Sequence, residues 1–197
     1  MFSGIVKSKG KVSSLEAGEL EIESSLFSER EFEEGASIAI SGVCLTVVSQ
    51  TNGKASFQLA SETREKTTLG ELAAGANVNL EPALCLGEPL DGHLMLGHVD
   101  TKCQLLEVET PDENTHRMFF SLPTGLESLV APKGSVAISG VSLTVGEVTD
   151  LGFSVYIIPL TWSETILGEL KVGDKVNFEA DCLARYVQRA MEVRQAS

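Results

Sequence analysis

The chain contains the same pattern twice, and this repeat constrains its fold more than any other feature. "IAISGVCLTV" begins at residue 38 and "VAISGVSLTV" at residue 136, so eight of ten positions are identical at a shift of 98. The same shift aligns "TTLGELAAGANVNL" from Thr67 with "TILGELKVGDKVNF" from Thr165. Near the start of each copy the shift is 93, because "GIVKSKGKV" from Gly4 aligns with "GHVDTKCQL" from Gly97. So long a period predicts two homologous domains, whereas solenoid repeats run to about 20–50 residues.

Each copy has the pattern of a small β-barrel. Short runs alternate apolar with small or polar residues, and turn signals such as Asn52-Gly53 separate them. Five or six strands in about 90 residues predict an all-β fold of two barrels. Gly42 and Gly140 interrupt strand patterns, which indicates either a bulge or barrel corner, or a close approach by a ligand or another backbone. "LGEL" in each copy predicts a helical or 3₁₀ turn that leads through Gly75 or Gly173 into the last strand.

The boundary between the two domains is predicted near residues 84–92, where glycine and proline interrupt the periodicity. We expect an N-terminal domain at residues 1–90, a C-terminal domain at residues 91–180 and a segment without a twin at residues 181–197.

The last segment is predicted to be a helix with Asp181 as its N-cap. Apolar residues follow at a spacing of three, four and three, at Leu183, Tyr186, Ala190 and Val193. A helix with so short an apolar face is only marginally stable alone, so this face must pack against another surface. That surface is either its own barrel or, the interpretation we favour, another copy of the chain.

The charge and composition exclude several classes of protein. The chain has 28 acidic and 15 basic side chains, and its formal net charge of -13 would repel nucleic acids and anionic membrane surfaces. With 43% hydrophobic residues it has a globular composition, yet no apolar run reaches the about 20 residues of a membrane span. The first residues lack the pattern of a signal peptide. We expect a cytoplasmic protein that binds neither nucleic acid nor membrane.

The four cysteines contain no C-x-x-C pair, so neither a disulfide framework nor a structural zinc site is predicted. Each is either a buried apolar residue or a functional thiol.

His93 and His98 have the spacing H-x4-H, but the glycines at 92 and 97 argue against the helix that would align them, and we expect no bound metal. His98 aligns with Ile5, so only one copy carries a titratable ring there; His98 is therefore a candidate general acid or base.

Hydroxyl groups recur in register in the two copies. Thr46 and Thr144 lie two residues after Cys44 and Ser142, so in an extended strand both side chains of each pair face the same way and could line one pocket. For any single threonine, a simple preference for strands is an adequate explanation.

Taken together, these motifs resemble the riboflavin synthase family, whose members contain two lumazine-binding domains. The likeness is carried by "MFSGIV", "SGVCLTV", "SGVSLTV", "DGHLMLGHVD" and "VNFEADCLARYVQ", and it runs from Met1 to about Arg189. It implies a pair of six-stranded Greek-key barrels followed by a C-terminal α-helix. It also implies a homotrimer formed through this helix, in which the N-terminal barrel of one subunit faces the C-terminal barrel of a neighbour, and an association with lumazine synthase.

The activity implied by the resemblance is a dismutation without a cofactor. Two molecules of 6,7-dimethyl-8-ribityllumazine exchange a four-carbon unit, and the products are riboflavin and 5-amino-6-ribitylaminouracil. The alternative is a non-catalytic antenna protein that binds lumazine or flavin on the same fold. Such proteins tend to lose the polar residues of one barrel, whereas "LTV" is present in both copies here, so we favour the enzyme.

The resemblance also implies the site residues. In the first barrel the ligand contacts would be Gly4, Ile5, Val6, Cys44, Leu45, Thr46, Gln58, Leu59, Ala60, Ser61, Glu62 and Thr63. In the second barrel they would be Gly97, His98, Val99, Lys133, Ser142, Leu143, Thr144, Tyr156, Ile157, Ile158, Pro159, Leu160 and Thr161. Catalytic roles are expected for His98, Ser142, Cys44, Thr46 and Lys133. We expect His98 and Ser142 to assist proton transfer on the C-terminal side, and Cys44 and Thr46 to orient the partner substrate.

The chain departs from the family pattern at two positions. Ser139 precedes the second "GVSLTV" where Asp or Asn is usual, and Leu160 replaces the usual Glu after the proline of the second barrel. If the family residues act in the site, Leu160 removes a carboxylate from it, and Ser139 does so where the usual residue is Asp.

Overall fold

The computed structural model describes residues 1–195, which form two closed antiparallel barrels and a C-terminal helix. The strands of the N-terminal barrel are β1 (Ser8–Glu16), β2 (Glu19–Glu23), β3 (Ser37–Ile40), β4 (Val43–Thr51), β5 (Lys54–Gln58) and β6 (Asn77–Pro82). Those of the C-terminal barrel are β7 (Thr101–Asp112), β8 (Thr115–Ser121), β9 (Ser135–Ile138), β10 (Val141–Val148), β11 (Gly152–Ile157) and β12 (Lys175–Ala180). The helices are α1 (Leu26–Glu29), α2 (Ser61–Lys66), α3 (Pro159–Glu164) and α4 (Cys182–Gln195).

The two barrels share one topology. The strand order is β1-β2-β5-β4-β3-β6 in the first barrel and, starting from the equivalent strand, β7-β8-β11-β10-β9-β12 in the second. In each barrel three consecutive strands form a meander and a fourth returns beside the first of them, which is the Greek key. The prediction of two tandem six-stranded barrels is confirmed.

Each barrel is filled by its own side chains, because inward and outward positions alternate along the strands. In β4, Val43, Leu45 and Val47 are buried in the core, whereas Cys44 and Thr46 face outward. Closure also removes the unpaired edges of the sheet. A barrel packed in this way leaves no room for a ligand inside, so any binding surface must lie on its outer face.

The strand pattern that Gly42 interrupts forms two strands, β3 and β4, joined by a tight turn. Ser41 and Gly42 have φ of 44° and 83°, and Ser139 and Gly140 have φ of 44° and 79°. Positive φ at both central residues is the geometry of a type I′ hairpin, which suits the twist of the flanking strands.

These two turns lie back to back at the interface between the barrels. A Cβ atom placed on Gly42 would lie 2.7 Å from the backbone nitrogen of Gly140, and one placed on Gly140 would lie 2.5 Å from that of Gly42. Of the alternatives given for these glycines, the close approach of another backbone is therefore correct.

Reciprocal hydrogen bonds relate the two barrels by an approximate twofold axis. The side-chain amide of Asn79 donates to the carbonyl oxygen of Ser139, and that of Asn177 donates to the carbonyl oxygen of Ser41, both at 2.8 Å. The backbones of Phe2 and Met95 exchange two hydrogen bonds of 2.9 and 3.0 Å. Because the contacts come in twin pairs, the interface repeats the duplication seen in the sequence.

The local predictions around the repeat hold in part. The "LGEL" segments form 3₁₀ turns at Thr68–Glu71 and Ile166–Glu169, and Gly75 and Gly173 follow with φ of 90° and 100° before the last strand of each barrel. Asp181 caps α4, because its Oδ1 accepts a hydrogen bond of 2.9 Å from the N–H of Leu183. The short helices α2 and α3 were not predicted.

The terminal helix α4 is held to the body by an ion pair and by Ala184, which packs against the core of the C-terminal barrel, and it leaves several apolar side chains exposed. The guanidinium of Arg185 binds both carboxylate oxygens of Asp100, which is almost buried. The exposed apolar side chains of the helix are Leu183, Tyr186, Val187, Met191 and Val193. Within the described residues, no helix is long and apolar enough to cross a membrane.

Candidate active site

Each barrel receives one chain segment from the other half of the molecule. The carbonyl oxygen of Gly97 accepts a hydrogen bond of 2.9 Å from the N–H of Cys44, and that of Gly4 accepts one of 2.9 Å from the N–H of Ser142. Val99 accordingly packs against the N-terminal core and Val6 against the C-terminal core. The two segments are exchanged across the approximate twofold axis.

A glycine is required at both points of exchange. A Cβ atom on Gly97 would lie 2.6 Å from the Cβ atom of Cys44, and one on Gly4 would lie 2.5 Å from that of Ser142. Both glycines also have positive φ, 75° and 78°, which most other residues adopt only at a cost. The G-x-V motif repeated in the sequence therefore reflects the close packing of a segment on the opposite barrel.

The exchange creates a cleft of about 330 Å³ on the outer face of the N-terminal barrel. It is lined by Val43, Cys44, Ala60, Glu62, Thr63, Lys66, Thr67, Gly97, His98 and Val99. Seven of these ten residues were predicted as ligand contacts. Glu62 and Lys66 form an ion pair of 2.7 Å at the edge of the cleft, and Lys66 lowers the pKa of the Glu62 carboxyl.

The equivalent surface of the C-terminal barrel is more apolar. Ser142 lies there beside the segment that contains Gly4 and Ile5. The predicted contacts in and before α3 include the exposed side chains of Tyr156, Ile158 and Leu160. Because Leu160 and Ile5 take the places of Glu62 and His98, the two twin surfaces offer different chemistry.

The predicted grouping of the site residues is wrong in one respect. The sequence placed Gly4, Ile5 and Val6 with the first barrel, and Gly97, His98 and Val99 with the second; the structure pairs each segment with the opposite barrel. His98 therefore lies in the cleft of Cys44 and not beside Ser142 on the C-terminal side. In a duplicated protein, a segment of one domain can pack on the other domain, and no local sequence pattern reveals such an exchange.

The histidine that contacts Ser142 is His93, which was not among the predicted site residues. Its Nδ1 lies 2.7 Å from Oγ of Ser142, and the ring is 8% exposed. Burial lowers the pKa of His93, an effect that the negative charge of Asp181 partly offsets. Its Nε2 is buried and has no hydrogen-bond partner among residues 1–195. The H-x4-H motif thus supplies one histidine to each surface.

Four predicted contacts have side chains inside the barrels. Leu45, Leu59, Leu143 and Ile157 are between 1% and 8% exposed and belong to the two cores. Only their backbone groups could reach a ligand. Thr46 and Thr144, by contrast, are exposed and share the outer faces of Cys44 and Ser142, as the strand periodicity predicted.

Lys133 and Ser139 both lie in turns with positive φ. Lys133 has φ of 66°, its N–H donates to the carbonyl oxygen of Val145, and its side chain is exposed. Ser139 is buried at the interface between the barrels, where its Oγ accepts a hydrogen bond from the N–H of Asn177. The Ser139 departure from the family pattern therefore affects a turn at this interface, whereas the Leu160 departure lies on the C-terminal surface.

Two buried carboxylates beneath the exchanged segments were not recognised in the sequence. Glu81 and Glu179 are twins at the shift of 98 and are each 3% exposed. Glu81 accepts hydrogen bonds from Ser3 and Gly4, and Glu179 accepts them from Leu96 and Gly97. Burial raises the pKa of both carboxyls, and the backbone N–H groups partly offset the rise. The repeated pair "NLEP" and "NFEA" was the available signal.

Comparison with known proteins identifies the kind of domain that is repeated in the chain. The sequence profile of the lumazine binding domain matches the chain twice, at residues 3–83 and 96–181. The chain is 36% identical to riboflavin synthase of Photobacterium phosphoreum, covering 98% of this chain and 90% of the relative. It is 38% identical to riboflavin synthase of Mycobacterium tuberculosis (97% and 98% covered) and 40% identical to that of Brucella abortus (99% and 100% covered).

Solved structures share the fold. The crystal structure of LumP complexed with 6,7-dimethyl-8-(1'-D-ribityl) lumazine matches with a TM-score of 0.78 at 23% identity, and that of LumP complexed with riboflavin with 0.81 at 24%. Both matches cover 91% of this chain and 99% of LumP. Two lumazine-binding domains in tandem define the class of protein. The chain belongs to the riboflavin synthase family.

Proposed function

We propose that the chain converts two molecules of 6,7-dimethyl-8-ribityllumazine into riboflavin and 5-amino-6-ribitylaminouracil. The observation that carries this proposal is the pair of twin surfaces, each built from one barrel and the exchanged segment of the other. Two related half-sites suit a reaction whose two substrates are the same molecule. The relatives named riboflavin synthase, at 36% to 40% identity over nearly the whole chain, support the same activity.

The chemistry requires the two half-sites to differ. The C7 methyl group of one lumazine loses a proton, and a nucleophile adds at C7 of the other, before the four-carbon unit moves between them. Cys44 and His98 lie in the N-terminal cleft, whereas Ser142 and Ile5 occupy the equivalent positions on the C-terminal surface. Two identical substrates thus meet different proton donors and acceptors.

In the proposed site, His98 and Ser142 assist proton transfer from opposite half-sites. Cys44 and Thr46 orient the substrate in the N-terminal cleft, and Lys133 contributes its charge. Much of the rate would come from holding the two substrates together, an effect that can supply about 7–11 kcal/mol. The carbon skeleton is exchanged between two identical molecules, so the reaction as proposed uses no cofactor.

We further propose that the active enzyme is a homotrimer, in which the N-terminal cleft of one subunit faces the C-terminal surface of the next. The exposed apolar face of α4 supports this proposal, since an isolated surface helix rarely keeps such a face in water. Association with lumazine synthase and a cytoplasmic location stay predictions from the sequence.

The test is incubation of the purified protein with 6,7-dimethyl-8-ribityllumazine, with both products followed by chromatography and absorbance. We expect the two products in a one-to-one ratio. Cys44→Ser should lower the turnover, whereas Cys85→Ser, at an exposed cysteine between the barrels, should leave it unchanged. Binding without product would instead identify an antenna protein, and the absence of binding would contradict both functions.

A further inference from the structure

The carboxylates of Glu81 and Glu179 have an unusual environment. Buried carboxylates are normally paired with cationic side chains. The described hydrogen bonds of Glu81 instead come from Ser3 and Gly4: Oε1 accepts from Ser3 N and Ser3 Oγ, both at 2.7 Å, and Oε2 accepts from Gly4 N at 3.0 Å. Glu179 accepts from Leu96 N at 2.9 Å and Gly97 N at 3.1 Å.

Each carboxylate lies in one barrel and binds a segment that completes the surface of the other. Glu81 belongs to β6 of the N-terminal barrel, and the glycine that it binds, Gly4, accepts a hydrogen bond from Ser142 of the C-terminal barrel. Glu179 belongs to β12, and its glycine, Gly97, accepts from Cys44 of the N-terminal barrel. In both cases the carboxylate fixes the N–H of the glycine and the opposite barrel fixes its carbonyl group.

The site residues follow directly after these glycines. The hydroxyl group of Ser3 also accepts a hydrogen bond of 3.3 Å from Ile5 N, which extends the order imposed by Glu81 to the next residue. On the other side His98 follows Gly97, and its backbone N–H also interacts with Glu179. Both segments are therefore anchored one residue before the side chains that differ between the half-sites.

We propose that Glu81 and Glu179 are positioning residues that act crosswise, with Glu81 shaping the C-terminal half-site and Glu179 shaping the N-terminal half-site. The claim that these surfaces bind substrate rests on the proposed function, but the crosswise control of their structure does not. Replacement of glutamate by glutamine is a sharp test, because it preserves the size of the side chain while it replaces one acceptor oxygen with an amide NH2 group, which is a donor. One backbone N–H then faces a donor and loses its partner.

Thiol reactivity reports on each half-site separately and without a ligand. Cys44 reports on the N-terminal cleft. A second version of the protein, with the substitution Ser142→Cys, places a thiol on the C-terminal surface. Exposed Cys85 is the internal reference, while Cys103 and Cys182 are buried. Alkylation by iodoacetamide would be followed for each cysteine by peptide mass spectrometry.

We expect Glu179→Gln to raise the alkylation rate of Cys44 relative to Cys85 by about 5-fold to 150-fold, the range for one unsatisfied buried donor. The thiol introduced by Ser142→Cys should keep its rate. Glu81→Gln should give the reverse pattern. Equal increases at both thiols, no increase at either, or an effect confined to the barrel that carries the substitution would overturn the proposal.

A milder variant covers the case in which Glu81→Gln does not fold. Ser3→Ala removes one hydrogen bond to Glu81 and leaves the buried carboxylate in place. It should raise the reactivity of the thiol introduced by Ser142→Cys and leave that of Cys44 unchanged; the opposite selectivity would contradict the proposal.

Equilibrium dialysis with riboflavin then tests the link to binding. We expect the wild type to bind two molecules of riboflavin per chain. The variants Glu81→Gln and Glu179→Gln should each bind only one molecule with an affinity comparable to that of the wild type. Two full-affinity sites in both variants would overturn the role in substrate positioning. A wild type that binds no riboflavin would count against the proposed function, while the thiol pattern would still decide the crosswise control.

Discussion

His93 and Ser142 are joined by a contact of 2.7 Å between Nδ1 and Oγ, and burial keeps the pKa of the ring below its usual value. The unfolded ring takes up a proton below about pH 6.5, whereas the folded ring resists it. The unfolded state thus binds more protons than the folded state in this pH range. The stability that His93 contributes to the free energy of unfolding is therefore fully present above pH 6.5 and is lost as the pH falls.

The expected result is a pH-dependent difference in stability between the wild type and His93→Gln. Urea unfolding between pH 5 and pH 8 should show the wild type losing more stability on acidification than the variant. A difference between the two proteins that does not change with pH would mean that His93 is not a buried neutral ring.

His98 should contribute to turnover more than to binding. General acid–base catalysis typically supplies a factor of about 10²–10⁴, so we expect His98→Gln to lower kcat by roughly that factor, with a smaller change in KM. Steady-state kinetics on protein with an unchanged circular dichroism spectrum would measure this. Full turnover in this variant would remove His98 from the mechanism.

Gly42 should tolerate a methyl group far less well than Gly75. Both residues have positive φ, 83° and 90°, so Gly→Ala carries a similar backbone cost in both. A Cβ atom on Gly42 meets the backbone of Gly140, whereas one on Gly75 has nothing within 4 Å. We expect Gly42→Ala to lose about 1–3 kcal/mol more in urea unfolding than Gly75→Ala. Equal losses would show that the barrels can separate at this point without cost.

Arg185 should stabilise the docking of α4, and Arg189 should not. Arg185→Ala leaves the carboxylate of Asp100, 9% exposed, without its cationic partner, and we expect a loss of about 2 kcal/mol. Arg189 pairs with Glu192 at the surface, where such a pair contributes about 0–1 kcal/mol. Thermal unfolding of the two alanine variants gives the comparison. A similar small loss in both would indicate that Asp100 is satisfied by the N–H of Ala180 alone.

The apolar face of α4 should determine the oligomeric state. Val187 is 60% exposed beside Met191, and a carboxylate there would be buried in the proposed trimer. We expect Val187→Asp to sediment as a monomer at micromolar concentration. Arg189→Asp introduces the same group at a polar position of the helix and should leave the trimer intact. A wild type that sediments as a monomer would contradict the trimer itself.

The sequence predicted the architecture well because the duplication and the strand periodicity are both local patterns. The shared direction of Cys44 and Thr46 followed from alternation along a strand, and the N-cap role of Asp181 from its place before the helix. The partners of Gly4 and Gly97 did not follow, because the exchange of segments depends on how two domains pack. Glu81 and Glu179 were missed for a related reason: their hydrogen-bond partners lie about 80 positions away, and their recurrence at the shift of 98 was the one mark that set them apart among 28 acidic residues.

The reciprocal exchange of segments bears on how the duplication arose. The outer surface of each barrel is completed by a segment from its twin, and the contacts at Gly42 and Gly140, at Asn79 and Asn177, and at Phe2 and Met95 are self-complementary. These are the contacts of an isologous dimer. An ancestral gene that encoded one barrel would have produced a protein that was complete only in pairs. Joining two such copies in one chain would make that partnership permanent and would leave the two halves free to differ, as they do at Cys44 and Ser142.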